Sequence, residues 1–105
     1  MSVSPIDPAD ERIRRAIAQK RLLEVRYKGA VRLAEPHDYG VLDDSARLLI
    51  FQLQGPDTGN GAVGWRLLDV EKLESCVVTY QTFAGSRVAS DGQHYQWQTL
   101  YARVV

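Results

Sequence analysis

Residues 22–36, LLEVRYKGAVRLAEP, decide the fold, because they repeat every second residue on both sides of a turn signal. Every second residue from Leu23 to Tyr27 is apolar, and charged residues stand between them. This period is typical of a strand with one buried face. Lys28-Gly29 is a turn signal, and the alternation resumes after it. The stretch therefore predicts an antiparallel hairpin with strands over 22–27 and 30–36.

The residues before the hairpin have a helical period instead. Asp7 followed by Pro8 is typical of a helix N-cap and first helical position. An apolar stripe at helical spacing follows, formed by Ile13, Ala16 and Ile17. We expect one amphipathic helix over 8–20 that lies on an apolar surface, with residues 1–7 flexible.

Short strand-like segments separated by turn residues follow the hairpin. The pattern predicts strands at 47–54, 65–70 and 76–81, with 47–54 apolar enough to be buried on both faces. Residues 82–105 are interpreted as a C-terminal extension of a single domain, 1–105. The predicted fold class is mainly β with one N-terminal α-helix, in a small curled antiparallel sheet or β-barrel.

Composition indicates an ordinary globular chain. Its 105 residues are 45% apolar and 25% charged, and no run of 18 apolar residues is present to span a membrane. The N-terminus lacks the features of a signal peptide. Cys76 is the single cysteine, which excludes an intrachain disulfide and suggests a small buried side chain. We expect a cytoplasmic protein without membrane contact.

The zero net charge hides a segregation of charges along the chain. Residues 12–32 carry eight basic side chains against Glu24 alone, a net +7, whereas residues 33–61 carry a net −4. Separated charge can create a local field that attracts anions. The alternative is that most of these side chains form solvated surfaces.

The residues needed for catalysis or metal binding are missing. The chain has two histidines and one cysteine, too few for a structural zinc site, and no G-x-S-x-G nucleophile turn. The glycine-rich loop 55–64 lacks the P-loop lysine and leads into a strand. We therefore expect no enzymatic activity, no cofactor, no catalytic residue and no metal site.

The stretch EPHDYG at 35–40 holds two carboxylates, one of the two histidines and a tyrosine within six residues. Strict alternation places Glu35 and His37 on the side opposite Pro36 and Asp38, so its ligand atoms do not converge. Pro36 is expected to end the second strand, and Gly40 to permit the turn that follows. We interpret the stretch as a rim at which His37 and Tyr39 share a side and His37 is a hydrogen-bonding contact.

The ordered set of features resembles the WYL domain family, in its short stand-alone form. The resemblance covers roughly residues 12–75 and rests on VRYKG, the EPH-Y stretch, an apolar strand and the segment RLLDVEKL. It implies a small Sm-like or SH3-like barrel. It also implies a non-enzymatic, regulatory domain that senses a nucleotide-like or nucleic-acid ligand through a basic pocket. The Trp-Tyr-Leu triplet that names the family is absent here, and the single N-terminal helix cannot form a helix-turn-helix.

The resemblance also implies candidate ligand-binding residues. Arg32 matches the basic position before the Glu-Pro pair, Arg66 opens the final basic motif, and Lys72 precedes its closing aliphatic residue. His37 and Tyr39 lie where such a pocket opens. Asp69 stands where larger members often carry a basic residue, which weakens an oligonucleotide interpretation.

Three functions remain open from the sequence. The first is binding of a small anionic or nucleotide-like ligand, for which arginine supplies a planar fork that can hold a phosphate or carboxylate. The second is a protein–protein or homo-oligomeric adaptor that adds strands at a sheet edge. The third is single-stranded oligonucleotide binding by strand arginines and aromatic platforms. The candidate arginines are Arg26, Arg32 and Arg66, and the candidate platforms are Tyr27, Tyr39, Trp65, Tyr95 and Trp97.

Overall fold

The computed structural model describes residues 8–57, 59, 61–87 and 95–105. The expected flexibility of residues 1–7 and the Asp7 cap lie outside these residues. The elements in chain order are α1 (Pro8–Gln19), β1 (Arg21–Tyr27), β2 (Ala30–Leu42), β3 (Ser45–Gln54), β4 (Gly64–Asp69), a 3₁₀ turn (Val70–Lys72), β5 (Leu73–Thr82) and β6 (Thr99–Arg103). The chain is mainly β with one helix, as its sequence predicts.

The six strands form one antiparallel sheet. Five of them follow the order β4-β3-β2-β1-β5, and β6 pairs with β2. Among the described residues β4 and β5 do not pair with each other, so the sheet is not closed and the predicted barrel is not confirmed. The predicted extension is not wholly separate from the sheet either, because its end supplies β6.

The hairpin that fixes the sheet is confirmed. Val25 lies opposite Arg32 and Leu23 opposite Ala34 in the β1–β2 register. Lys28 and Gly29 have φ of 51° and 77°, the left-handed conformation at both central positions of the tight turns that match strand twist. Asp43-Asp44 repeats this arrangement between β2 and β3, with φ of 50° and 62°.

The sheet has one face covered by α1, which we call the helix face. The stripe Ile13, Ala16 and Ile17 is buried there, as predicted from its spacing. It packs with side chains from β1, β2, β3 and β5, namely Leu23, Val25, Ala34, Tyr39, Leu48, Ile50 and Cys76. The opposite side of β2, β3 and β4 we call the tail face, because residues 83–87 contact it. Leu48, Leu49 and Ile50 are all fully buried, which confirms that β3 is covered on both faces.

The expectation that β2 ends at Pro36 is wrong. β2 continues to Leu42 and pairs with β3 over nearly its whole length. On its other edge it pairs with β1 up to Ala34 and with β6 from Asp38 onward. Pro36 lies between the two partners, where its missing N–H leaves no ladder hydrogen bond unmade.

Gly40 does not form a turn, contrary to expectation. It lies inside β2, opposite Arg47 on β3 and Leu100 on β6. A Cβ atom built at Gly40 would collide with the carbonyl oxygen of Thr99 and lie 3.0 Å from the Trp97 ring. The glycine therefore permits close approach of the backbone that leads into β6.

No helix among the described residues has the length and apolar character required to cross a bilayer.

Substitution of Gly40 by alanine should displace β6 and destabilise the fold. Because the obstacle is backbone and cannot rotate away, we expect a loss of about 2–3 kcal/mol, in the range of overpacked sites. The matched control is Gly29→Ala, where φ is 77° but nothing lies within 4 Å of the added Cβ; backbone strain alone costs about 1–2 kcal/mol there. Urea unfolding of both variants measures the difference. Gly40→Ala less destabilising than Gly29→Ala would contradict the close approach.

Candidate anion-binding site

Three polar side chains lie at one end of the helix face. Arg32 lies opposite Val25, Gln52 opposite Ala34, and Arg66 opposite Ile50. Because residues directly opposite each other in a ladder share a face, all three side chains lie on the side that carries the core. Arg32 is 6% exposed and Gln52 is fully buried. We call this group the arginine cluster: Arg32, Gln52 and Arg66.

Arg32 is held by two neighbours. Its Nη1 donates to the Gln52 side-chain oxygen Oε1 at 3.0 Å. Its guanidinium carbon lies 5.4 Å from the centre of the Tyr27 ring, within the range of cation–π attraction. The side-chain nitrogen of Gln52 donates to Pro56 O at 3.1 Å and Ala62 O at 2.7 Å. Gln52 thus fixes both the Arg32 guanidinium and the ends of the loop beside it.

Arg66 is held by backbone carbonyl groups. Its Nη1 donates to Trp65 O and its Nη2 to Gly61 O, both at 2.9 Å. The Nε atoms of Arg32 and Arg66 are buried without a hydrogen-bond partner. Buried polar hydrogens without partners are uncommon and costly, so these two Nε–H groups are donors that the fold leaves unpaired.

The arginine cluster also lacks a compensating acid. Within the described residues no carboxylate lies within 4.0 Å of Arg32 or Arg66; the ion pairs of this part of the chain involve other arginines. Burial, followed by the positive charge of Arg66, lowers the pKa of the Arg32 guanidinium. Two like charges held together in a partly desolvated site favour the binding of an anion between them.

The other four predicted site residues do not join Arg32 and Arg66. Arg26 is exposed and pairs with Glu74 at 3.2 Å, and Lys72 is an exposed residue of the 3₁₀ turn. Tyr39 lies on the helix face but donates its hydroxyl to Asp10 Oδ1 at 2.6 Å. Burial, then that hydrogen bond, raises the pKa of Tyr39 above its usual value. His37 lies on the tail face.

A bulge explains why the expected alternation of EPHDYG is wrong. Pro36 pairs with Ile50 and Asp38 pairs with Leu49, so His37 is an extra residue in the ladder. One inserted residue moves the following side chains to the other face. Glu35, His37 and Asp38 therefore lie together on the tail face, and Tyr39 lies on the helix face away from His37.

The tail-face side chains of EPHDYG bind the C-terminal part of the chain. Glu35 is 5% exposed and accepts two hydrogen bonds from Arg87, at 2.6 and 3.1 Å. The Arg87 guanidinium also lies 4.2 Å from the centre of the Phe51 ring. This bidentate, stacked geometry is the strong form of an arginine–carboxylate pair.

Asp38 makes a second such contact. It is fully buried and accepts from Arg103 Nε at 2.9 Å, from Arg103 Nη2 at 3.0 Å and from Trp97 Nε1 at 3.2 Å. The hydrogen bond to Asp38 raises the pKa of Arg103. These three bonds satisfy the carboxylate inside the protein and attach β6 and the residues before it to β2.

His37 is a hydrogen-bonding contact, as its sequence context suggests. It is fully buried, and its Nε2 accepts from the backbone N–H of Arg87 at 3.0 Å. That bond places the single proton of a neutral ring on Nδ1, which donates to Glu35 O at 3.0 Å. The ring packs edge-on against Trp65 with centroids 4.7 Å apart. No ring nitrogen is left to act as a base or as a metal ligand.

The sequence does not identify Gln52, Arg87 or Arg103 as important residues. Gln52 has one usable signal, because it is polar at an inward position of an otherwise apolar strand. Arg87 and Arg103 are more than 45 residues from their carboxylates along the chain, so no local pattern connects them.

The structure also bears on metal binding and on aromatic stacking. Within the described ranges no group of three or more His, Cys, Asp or Glu side chains is arranged to hold a metal ion. Tyr27 and Tyr39 are 7% and 4% exposed, and Trp65 packs edge-on against Phe51 at 5.3 Å. These three proposed stacking platforms are packed against protein.

Substitution of Arg103 by methionine should destabilise the fold strongly, because it leaves the buried Asp38 carboxylate without its cation. Loss of one partner of a buried pair costs about 3–5 kcal/mol, and we expect about 3 because the Arg103 side chain is 43% exposed. Arg26→Met is the control, since it removes a pair exposed on both sides and should cost under about 1 kcal/mol. Urea unfolding at pH 7 compares them. Similar losses in both variants would refute a structural role for the Asp38–Arg103 pair.

Acid should destabilise the protein through His37. Burial, against the opposing pull of Glu35 and Asp38, lowers the His37 pKa in the folded state. The unfolded chain then binds more protons below about pH 6.5, the ordinary histidine pKa. The contribution of neutral His37 is therefore complete above that pH and is lost as pH falls through the lowered folded value.

His37→Gln tests this contribution, because glutamine is polar and does not titrate. We expect a shallower fall in urea midpoint between pH 7.5 and 5.5 in the variant than in the wild type. His94 is present in both proteins, so the difference between the two pH profiles reports on His37. Parallel pH profiles would show that His37 is not held neutral by the fold.

Comparison with known families, curated proteins and solved structures identifies no match for this chain. The arginine cluster is therefore interpreted from its own geometry, and the chain is placed in no family by these comparisons.

Proposed function

We propose that this chain is a non-enzymatic, WYL-like regulatory domain that binds a small anionic or nucleotide-like ligand at Arg32 and Arg66. The observation that carries the proposal is the pair of arginines on one end of the helix face, with buried free Nε atoms and without a carboxylate among the described residues. Arginine holds phosphate or carboxylate oxygens bidentately. Gln52 supports the site by orienting Arg32.

The finer fold proposal is an open Sm-like or SH3-like barrel. Its support is the meander order β4-β3-β2-β1-β5 and the 3₁₀ turn that joins β4 directly to β5. In such an arrangement a curved sheet brings its first and last strands towards each other. The arginine cluster would then lie at one open end of the curved sheet.

A second candidate function is strand addition by a partner or by another copy of the chain. β5 favours it, because this strand of ten residues pairs with β1 and has no second partner strand in the described part of the chain. Two of its carbonyl groups, Cys76 O and Thr79 O, already accept hydrogen bonds from Arg12 and Arg21. Because these two carbonyl groups are already bonded, the β5 edge is a poorer template for strand addition than a strand whose backbone groups are all available. Sedimentation velocity across micromolar concentrations separates the candidates, since strand addition between copies requires a concentration-dependent dimer.

Arg66→Ala and Arg32→Met should each weaken binding of inorganic pyrophosphate roughly 10- to 150-fold, because each removes a charge-assisted contact of about 1.5–3 kcal/mol. Methionine is used at Arg32 to preserve packing on Tyr27. Isothermal titration calorimetry on the full chain measures the affinity, and thermal unfolding checks that the variants fold.

Arg26→Ala and Lys72→Ala are the matched controls, since both remove an exposed cation away from the arginine cluster. They should bind pyrophosphate as the wild type does. Equal affinity in wild type and Arg66→Ala, or no binding at millimolar pyrophosphate and nucleoside diphosphate, would refute the proposal.

A further inference from the structure

A groove separate from the arginine cluster lies where the end of α1 meets β5. Its volume is about 330 Å³, and it is lined by Arg15, Gln19, Arg21, Val78 and Tyr80. That volume is at the lower end of the range for small-molecule sites. Both charged residues among the five are arginines, so the groove complements a negatively charged ligand.

Tyr80 is the most unusual side chain of the groove. It is 93% exposed, the highest value among the large apolar and aromatic residues described. The Arg21 guanidinium lies 5.8 Å from the centre of its ring. An aromatic ring left this exposed gains little from core packing, and its open surface can stack on a planar ligand.

The arginines of the groove are only weakly engaged. Arg21 donates to Thr79 O at 3.4 Å, and no carboxylate in the described part of the chain lies within 4.0 Å of it. Arg15 pairs with Glu11 at 3.6 Å, and about half of each side chain is exposed. An exposed pair of this kind contributes under about 1 kcal/mol, so a phosphate can replace Glu11 as the partner of Arg15.

We propose that this groove is a second binding site, for a ligand that joins a planar ring to a phosphate, with the size of a mononucleotide. The ring stacks on Tyr80, the phosphate is held by Arg21 and Arg15, and the Gln19 amide offers both a donor and an acceptor to polar groups of the ligand. A simple oxyanion would use the arginines but leave Tyr80 unused. A ligand that carries both a planar ring and a phosphate would use the tyrosine and both arginines of the groove.

This site is distinct from the one proposed at Arg32 and Arg66. Arg21 begins β1, whereas Arg32 lies opposite Val25 of the same strand. Arg21 and Val25 are four positions apart along an extended strand, a distance of roughly 13 Å. The two sites can therefore be removed independently by substitution.

The test is an NMR titration of the full ¹⁵N-labelled chain with adenosine 5′-monophosphate. The groove predicts amide shift changes around Gln19–Arg21 and Val78–Gln81. Adenosine lacks the phosphate and ribose 5-phosphate lacks the ring, so each should bind at least about tenfold more weakly than the whole nucleotide at this site.

Four variants connect the shifts to the groove. Arg21→Ala and Tyr80→Ala should each weaken binding by about tenfold or more, whereas Tyr80→Phe retains the ring and should bind as the wild type does. Glu11→Gln removes the competing carboxylate of Arg15 and should tighten binding about two- to threefold. Glu11 and Tyr80 are exposed and Arg21 is half-buried, so we expect all four variants to fold, and thermal unfolding checks this.

Arg66→Ala distinguishes this proposal from the preceding one. It should leave the shifts at Tyr80 unchanged even where pyrophosphate binding is lost. Amide shift changes around Gln19–Arg21 and Val78–Gln81 that survive both Arg21→Ala and Tyr80→Ala would overturn the groove proposal. So would shifts confined to the arginine cluster, or no binding at millimolar nucleotide.

Discussion

The burial of the Asp38 carboxylate is the constraint on which the rest of the molecule depends. A fully buried carboxylate is unfavourable unless its oxygens are satisfied, and here Arg103 and Trp97 satisfy them. Both residues come from the C-terminal part of the chain. β6 must therefore lie beside β2, and the glycine at position 40 must be small enough to let it approach. The Glu35–Arg87 pair repeats this arrangement for residues 83–87.

The same two ion pairs show how charges that are segregated along the sequence are paired in the fold. The acidic residues of EPHDYG are neutralised by Arg87 and Arg103, which lie far along the chain, and not by the basic segment 12–32. Among the described residues no carboxylate lies within 4.0 Å of Arg32 or Arg66. These two cationic donors carry the functional proposal.

Local patterns predict the local structure well and the long-range pairing poorly. The hairpin, the apolar stripe of α1 and the double burial of β3 follow from periods of two and 3.6 residues. The bulge at His37 shifts the register by one residue, which no alternation pattern shows before the partner strand is known. Arg32 and Arg66 could be named from the sequence. Gln52 and Tyr80 could not be given roles from the sequence. The role of Gln52 depends on its hydrogen bonds to Pro56 and Ala62, and that of Tyr80 depends on its position beside the end of α1.

Along one edge of β2 the partner strand changes from β1 to β6. The sheet therefore has two units at this edge, β1 and β6, that can each separate from β2. β1 occupies that edge before Pro36 and β6 occupies it afterwards, and Pro36 contributes no N–H between them. Separation of β6 from β2 therefore breaks no hydrogen bond between β1 and β2. On its other edge β2 pairs with β3 on both sides of Pro36. That shared ladder, together with the Arg87–Glu35 pair, couples the opening of the two units.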